Sequence, residues 1–159
     1  MSKDQKTMRL ASLELETIRF ETHIKRFIDM YNSPRGAEPI RAIKQDFLAR
    51  VMDKNPVRTG RSRAGWFRAA EAVGLATPGG PDAAMVAKGR SEGMVRMVLT
   101  GPRKAIESVN RVPYIAALEY GASSQAPQGM IRLSMREVRT NLKPRLIEGL
   151  IEIWKTTRT

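Results

Sequence analysis

Between Leu13 and Tyr31 the apolar residues Leu13, Phe20, Ile24, Phe27, Ile28 and Tyr31 fall on one stripe of a helical wheel, which predicts an amphipathic helix. The turn formers Asn32-Ser33-Pro34-Arg35-Gly36 then break it. A second helix is predicted from Ile40, Ile43, Phe47 and Val51. It ends near Asn55-Pro56, because a proline disfavours helical geometry in the residue before it. Two antiparallel helices joined by a short turn result. The block Pro56-Val57-Arg58-Thr59-Gly60-Arg61-Ser62-Arg63-Ala64-Gly65-Trp66 is polar and basic up to its tryptophan, and Thr59 is placed to cap a short helical turn. Residues 66–73 read as a strand, and residues 74–93, rich in Gly, Ala and Pro without periodicity, as a long loop.

Further on, Met94 to Leu99 alternates between two faces, which predicts a strand closed by Gly101-Pro102 and paired with an extended stretch around Ile106–Val109. Pro113 opens a short helix through Tyr120 that Gly121 ends. After the loop 122–129, a final helix carries Val138, Leu142, Leu146, Leu150, Ile153 and Trp154 on one stripe. Pro144 inside that helix is expected to kink or split it, at a cost of about 3 kcal/mol. The elements together predict an α+β fold: an N-terminal helical hairpin and a long C-terminal helix packed on a small antiparallel sheet. Residues 1–12 are expected to form a flexible tail and 13–159 a single domain.

With 159 residues, 42% of them hydrophobic, one such domain can bury a core without disulfides or metal. The absence of cysteine excludes a disulfide framework, a thiolate zinc site and a cysteine nucleophile. The start of the chain, Met1-Ser2-Lys3-Asp4-Gln5-Lys6, leads into a charged segment without an apolar signal core, and no apolar run approaches the roughly 20 residues that span a bilayer. These features predict a soluble product made in a cytoplasm, with no membrane partner.

Charge adds a second constraint. The formal net charge is +12, and residues 56–104 hold 9 basic against only 3 acidic side chains. Such an excess attracts polyanions: nucleic acid, an anionic surface or an acidic protein. Arg132, Arg136, Arg139 and Lys143 follow a spacing of i, i+4, i+7 and i+11, a basic stripe along one helical face. It suits a solvated face, an acidic neighbouring protein, or a DNA channel. A channel that must pass DNA quickly should avoid rows of arginine, which favours the protein partner.

Catalytic chemistry finds little footing. The one histidine, His23, has Arg19, Lys25 and Phe27 for helical neighbours, none of them a metal-binding or general-base partner, so it reads as a surface or interface residue. Asp46 and Asp53 lie too far apart on one helix to act as a pair, and Glu148 and Glu152 read as solvated. Gly79-Gly80-Pro81-Asp82 lacks the lysine and the strand–loop–helix setting of a phosphate loop. No enzyme activity, cofactor or metal is expected.

Two segments stand out instead. The first is Pro56 to Trp66, directly after an amphipathic helix. The second is Tyr114-Ile115-Ala116-Ala117-Leu118-Glu119-Tyr120-Gly121, ahead of a proline-containing loop and a terminal helix. Gly60 and Gly121 suit turns with positive φ or close backbone approach. Trp66 and Tyr114 suit a core edge or a subunit contact. Glu119, in a chain so rich in arginine, is expected to accept an Arg hydrogen bond within the subunit or across an interface.

In their order and spacing the two segments resemble the tail-component family of tailed phages, the tail-completion or neck proteins related to gene product ten of a lambdoid phage. That family shows Pro-Val-Asp-Thr-Gly, then basic residues and an aromatic or apolar residue, and later a Tyr-Ala before a Glu-aromatic-Gly. Pro56, Thr59, Gly60, Arg61, Trp66, Tyr114, Glu119, Tyr120 and Gly121 occupy matching positions, and the likeness covers about residues 38–140. Arg58 stands where the family usually has Asp, Ser62 where it often has Leu, and Gly65 where it often has Ser.

The resemblance implies a virion protein without catalytic activity. It would assemble with copies of itself into a ring, a hexamer by the family pattern, between the head connector and the tail tube or its terminator, with genomic DNA passing through. Two other readings compete: a small basic protein that binds DNA without sequence preference through Arg58, Arg61, Arg63 and the stripe, and a tail terminator ring.

Overall fold

The computed structural model describes residues 3–157, with side chains described for residue 14 and for 16–157. The elements in chain order are α1 (Lys3–Asn32), a 3-10 turn (Pro34–Ala37), α2 (Glu38–Lys54), α3 (Arg61–Ala64), α4 (Phe67–Ala72) and α5 (Ala83–Glu92). They continue with β1 (Gly93–Val98), β2 (Ala105–Asn110), α6 (Ile115–Glu119), α7 (Ile131–Thr140) and α8 (Leu142–Thr156). The fold is α+β: N-terminal and C-terminal helices around a two-stranded antiparallel sheet.

α2 is the axis of the core. Its buried face, Phe47, Leu48, Val51 and Met52, meets Ala64, Trp66, Phe67, Ala69, Ala70 and Val73 from the α3–α4 region and Met130 and Val138 from α7 and its approach. α2 ends at Lys54, with Asn55 extended ahead of Pro56 as the proline requires. Asn55 is itself buried and joins the core to the next segment: its amide donates to Met130 Sδ at 2.9 Å, and its oxygen accepts from Ser62 Oγ at 2.7 Å. The hydroxyl at Ser62 is thereby satisfied in the interior.

The sheet follows the expected register of alternation. Met94 pairs with Val109, Arg96 with Glu107 and Val98 with Ala105 on the outer face, while Val95, opposite Ser108, and Met97, opposite Ile106, turn inward. The final helix is split, as Pro144 demands. α7 ends at Thr140 and α8 starts at Leu142, which puts Pro144 in the first turn of the new helix, where its missing N–H costs little. Val138 and Ile153 of the expected stripe are buried, whereas Leu142 and Leu150 are each 37% exposed.

Two expectations are overturned. Residues 66–73 are not a strand: Phe67–Ala72 is α4, and Trp66, Ala70 and Val73, at i, i+4 and i+7, are the face it buries. Residues 74–93 are not one long loop, because Ala83–Glu92 is α5, with Asp82 Oδ1 accepting from Met85 N at 3.0 Å as its N-cap. Residues 3–12 of the expected tail are helical, since α1 begins at Lys3, and residues 1–2 lie outside the described residues. The α1 stripe is also only partly turned inward. Phe20 is 60% and Ile28 48% exposed, while Phe27 and Tyr31 are half-buried and Leu13 lies outside the described side chains.

α5 lies hard against α3 because Gly89 has no side chain. A methyl at Gly89 would run into the Arg61 carbonyl oxygen, backbone that cannot step aside, whereas at Gly79 it would meet open space. Gly89→Ala is therefore expected to lower stability by about 1–3 kcal/mol and Gly79→Ala to stay within about 0.5 kcal/mol of the parent. Urea unfolding of both variants checks this.

Candidate functional site

The two segments singled out in the sequence meet in space. They form the walls of an open cleft of about 800 Å³, with Pro56, Val57 and Arg58 on one side and Tyr114, Leu118 and Gln125 on the other. Val57 N donates to Gln125 Oε1 at 3.0 Å, which ties the first wall to the loop behind the second.

Several residues of the first segment have a definite local task. Gly60, at φ 86°, makes the left-handed bend from which α3 starts, a conformation that suits glycine. Thr59 is not the cap residue, but its Oγ1 accepts a long bond of 3.4 Å from Arg61 N. Arg61 is committed inside the fold. It forms a two-pronged ion pair with Glu92 at the end of α5, and its guanidinium lies 5.8 Å from the centre of the Tyr114 ring. That hydrogen-bonded cation holds the Glu92 carboxyl below its ordinary range. Asn110, at the end of β2, donates to Ser62 O at 2.8 Å and accepts from Val112 N at 3.1 Å, so the segment is also stitched to the sheet. Trp66 is a core residue, 5% exposed, rather than a subunit contact, and among the described residues its indole N–H finds no hydrogen-bond partner. Arg58 is exposed and has no ion pair among the described residues.

The second segment carries the side chain with the most hydrogen bonds among the described residues. Glu119 ends α6, and Gly121 follows at φ 90°. The bonds Ala122 N to Ala117 O at 3.0 Å and Gly121 N to Leu118 O at 3.2 Å close the helix in a Schellman turn. The turn points the Glu119 carboxylate at the start of α7. There it accepts from Met130 N at 2.9 Å, Ile131 N at 2.7 Å and Arg132 N at 2.9 Å, and from Arg132 Nε at 3.0 Å. Arg132 also donates to the Glu119 carbonyl and stacks 5.0 Å from the Tyr120 ring centre. The expected Arg–Glu119 bond is thus formed within the subunit. Tyr120 is 78% exposed and offers its other face outward.

Of the basic stripe, only Arg132 is occupied in this way. Arg136, Arg139 and Lys143 are exposed and have no ion pair among the described residues, and Met135, 52% exposed, sits among them. The opposite side of the same helices is neutralised. Asp46 and Arg50 of α2 bond at 2.8 Å, Arg50 and Lys54 reach Glu137 at 2.7 and 2.9 Å, and Arg145 reaches Asp46 at 2.9 Å. Lys54 and Arg50 together hold the Glu137 carboxyl low. α7 therefore has a back clamped by paired charges and a front of unpaired cations.

His23 has a structural partner that its helical neighbours did not disclose. Its ring lies 3.8 Å from that of Trp154, and Nε2 sits 3.2 Å from Trp154 O and 3.1 Å from Thr157 Oγ1. It joins α1 to α8. Among the described residues no group of three or more His, Asp or Glu could hold a metal ion, and no helix is long and apolar enough to cross a membrane. Comparison with protein-family models, with curated proteins and with solved structures matches none.

Burial pushes the Glu119 carboxyl up, but the Arg132, Ile131 and Met130 backbone donors and the Arg132 side chain outweigh it, so its pKa lies below the ordinary 4.5. A carboxyl depressed on folding stabilises the fold above its unfolded pKa, and that contribution is lost as pH falls through the folded value. Glu119→Gln is expected to cost on the order of 2 kcal/mol at neutral pH. The gap to the parent should narrow steadily below about pH 4. An equal gap at both ends of a denaturant series run from pH 7 to 3 would contradict this role.

Proposed function

We propose that this chain is a structural subunit of a ring at the head–tail junction of a tailed phage, a neck or tail-completion protein. The observation that carries the reading is the convergence of the two family-like segments on one cleft, each held by its own buried or ion-paired network. Pro56, Thr59 and Arg61 of the first segment and Tyr114 of the second all line that cleft. The exposed Tyr120, Met135, Ile147 and Ile151, and the unpaired Arg136, Arg139 and Lys143, supply the apolar and cationic surface that a subunit flanked by copies and by acidic neighbours needs. The ring is proposed as a hexamer between head connector and tail tube or terminator. A place on the tail tube itself, as a terminator ring, uses the same surfaces.

Arg58 and the three free cations of the stripe favour one other reading, a DNA-binding protein without sequence preference. About four phosphate contacts would make log K fall with log salt at a slope near −3.6. Tight binding of random duplex by the isolated chain at physiological salt, with that slope, would support it over the ring.

Virions purified from a host that carries the gene are expected to contain the chain in a fixed multiple per particle, and particles without it would overturn the ring reading. Arg136→Glu combined with Arg139→Glu should leave stability within about 0.5 kcal/mol, since both side chains are exposed. It should cut the yield of joined heads and tails by about tenfold or more, because reversed charge at a docked face costs several kcal/mol. Electron-microscopic counts of free heads against complete particles measure the effect.

A further inference from the structure

Between α2, α7, the first turn of α8 and strand β2 the fold leaves an open apolar groove of about 300 Å³, lined by Ile43, Phe47, Ile106, Met135 and Leu142. Two cations, Lys44 and Arg139, also line it. Neither has an ion pair among the described residues. Lys44 is half-buried, with its ammonium 4.9 Å from the Phe47 ring centre, and burial pulls its pKa down. A cation held this way next to apolar surface is matched by an occupant that brings both an apolar side chain and carboxylates.

The exposed part of α1 has that composition. Glu14, Ile18 and Glu21 lie at i, i+4 and i+7 and so share one face of the helix; both glutamates are exposed, and Ile18 is 60% exposed. Neither glutamate has an ion pair among the described residues. The chain cannot serve its own groove with this face. Ile18 borders a surface depression with Thr157, just past the last turn of α8, whereas the groove lies at Leu142, its first residue. The 15 residues of α8 separate the two by about 22 Å.

We infer that the groove receives α1 of a second copy, with Ile18 seated on Phe47, Ile106 and Met135 and with Glu14 and Glu21 facing Lys44 and Arg139. The inference rests on the ring reading and names its contact. Groove and arm are different surfaces of one chain, so each copy gives an arm to one neighbour and accepts one from the other. A head-to-tail contact of this kind closes into a ring when its rotation allows.

The chain has no cysteine, which makes a directed cross-link clean. Full-length Ile18→Cys and Met135→Cys chains are prepared separately, mixed, oxidised and resolved by mass. The expected product is the mixed disulfide dimer, in several-fold excess over either homodimer. Adding Lys44→Glu to the Met135→Cys chain should remove most of it, and adding Glu14→Lys and Glu21→Lys to the other chain should restore it. The restoration separates a lost contact from a misfolded Lys44 variant. Native mass spectrometry on the parent separates the two levels of failure. A ring without the mixed disulfide overturns the groove assignment and leaves the ring standing. A mixed disulfide insensitive to Lys44→Glu overturns the charge pairing on which the assignment rests. A monomer at every concentration overturns ring and groove together.

Discussion

One buried carboxylate sets the geometry of the C-terminal half. Glu119 gathers three successive backbone N–H groups at the start of α7 and the side chain of Arg132. The first turn of a helix always leaves donors without intrahelical partners, and a side chain usually satisfies one of them. Here a residue 11 positions earlier in the chain satisfies Met130, and the same two oxygens serve its two successors. The carboxylate therefore acts as a remote cap and fixes the direction in which α7 leaves the loop 122–129. That direction brings Glu137 to Arg50 and Lys54 of α2, and leaves Arg136 and Arg139 outward. A glutamine could fill the space, but with one acceptor oxygen and no charge it could not serve all three N–H groups and Arg132 as the two carboxylate oxygens do.

The N-terminal half is held differently, by close approach and by shared polar groups. Asn55, Ser62 and Asn110 link the end of α2, α3 and the end of β2 through bonds of 2.7 and 2.8 Å. The Arg61–Glu92 pair adds α5. These links converge on the segment Pro56–Trp66, which explains why so polar a stretch sits against the core. Its side chains meet one another's needs, and Trp66 completes the apolar side. A Ser at position 62 fits this arrangement because Asn55 is there to accept from it. A leucine there would leave the Asn55 oxygen without that donor.

Much of this fold was legible in the order of residues. The alternation of Met94–Leu99, the proline stop at Asn55-Pro56, the split near Pro144, and the glycine bends at 60 and 121 all follow from local rules, and the structure bears them out. The failures share one cause. α4 and α5 hold six alanines and one glycine among their 16 residues, so large apolar side chains are too few to mark a helical period, and only Asp82 marked a helix start. Phe20 and Ile28 sit on a regular stripe yet remain exposed, since periodicity shows which residues share a face but not what covers that face. At the site, the need of Glu119 for an arginine was readable from composition. That the arginine would be Arg132, and that His23 would meet Trp154, depended on tertiary placement. The groove beside Lys44 joins α2, β2 and the α7–α8 stretch, three regions distant in sequence, and no local pattern announces it.

The His23–Trp154 contact gives α1 a mechanical character. The helix is held to α8 through His23 and Phe27 in its second half, and to the 3-10 turn beyond. From His23 to Lys3 is 20 residues of a 30-residue helix, a lever of roughly 30 Å. A tilt of about 10° at the fulcrum displaces the far end by about 5 Å over that length. For an assembly built through α1, the diameter of the circle is governed less by the tip than by the angle at which two aromatic rings meet near its base.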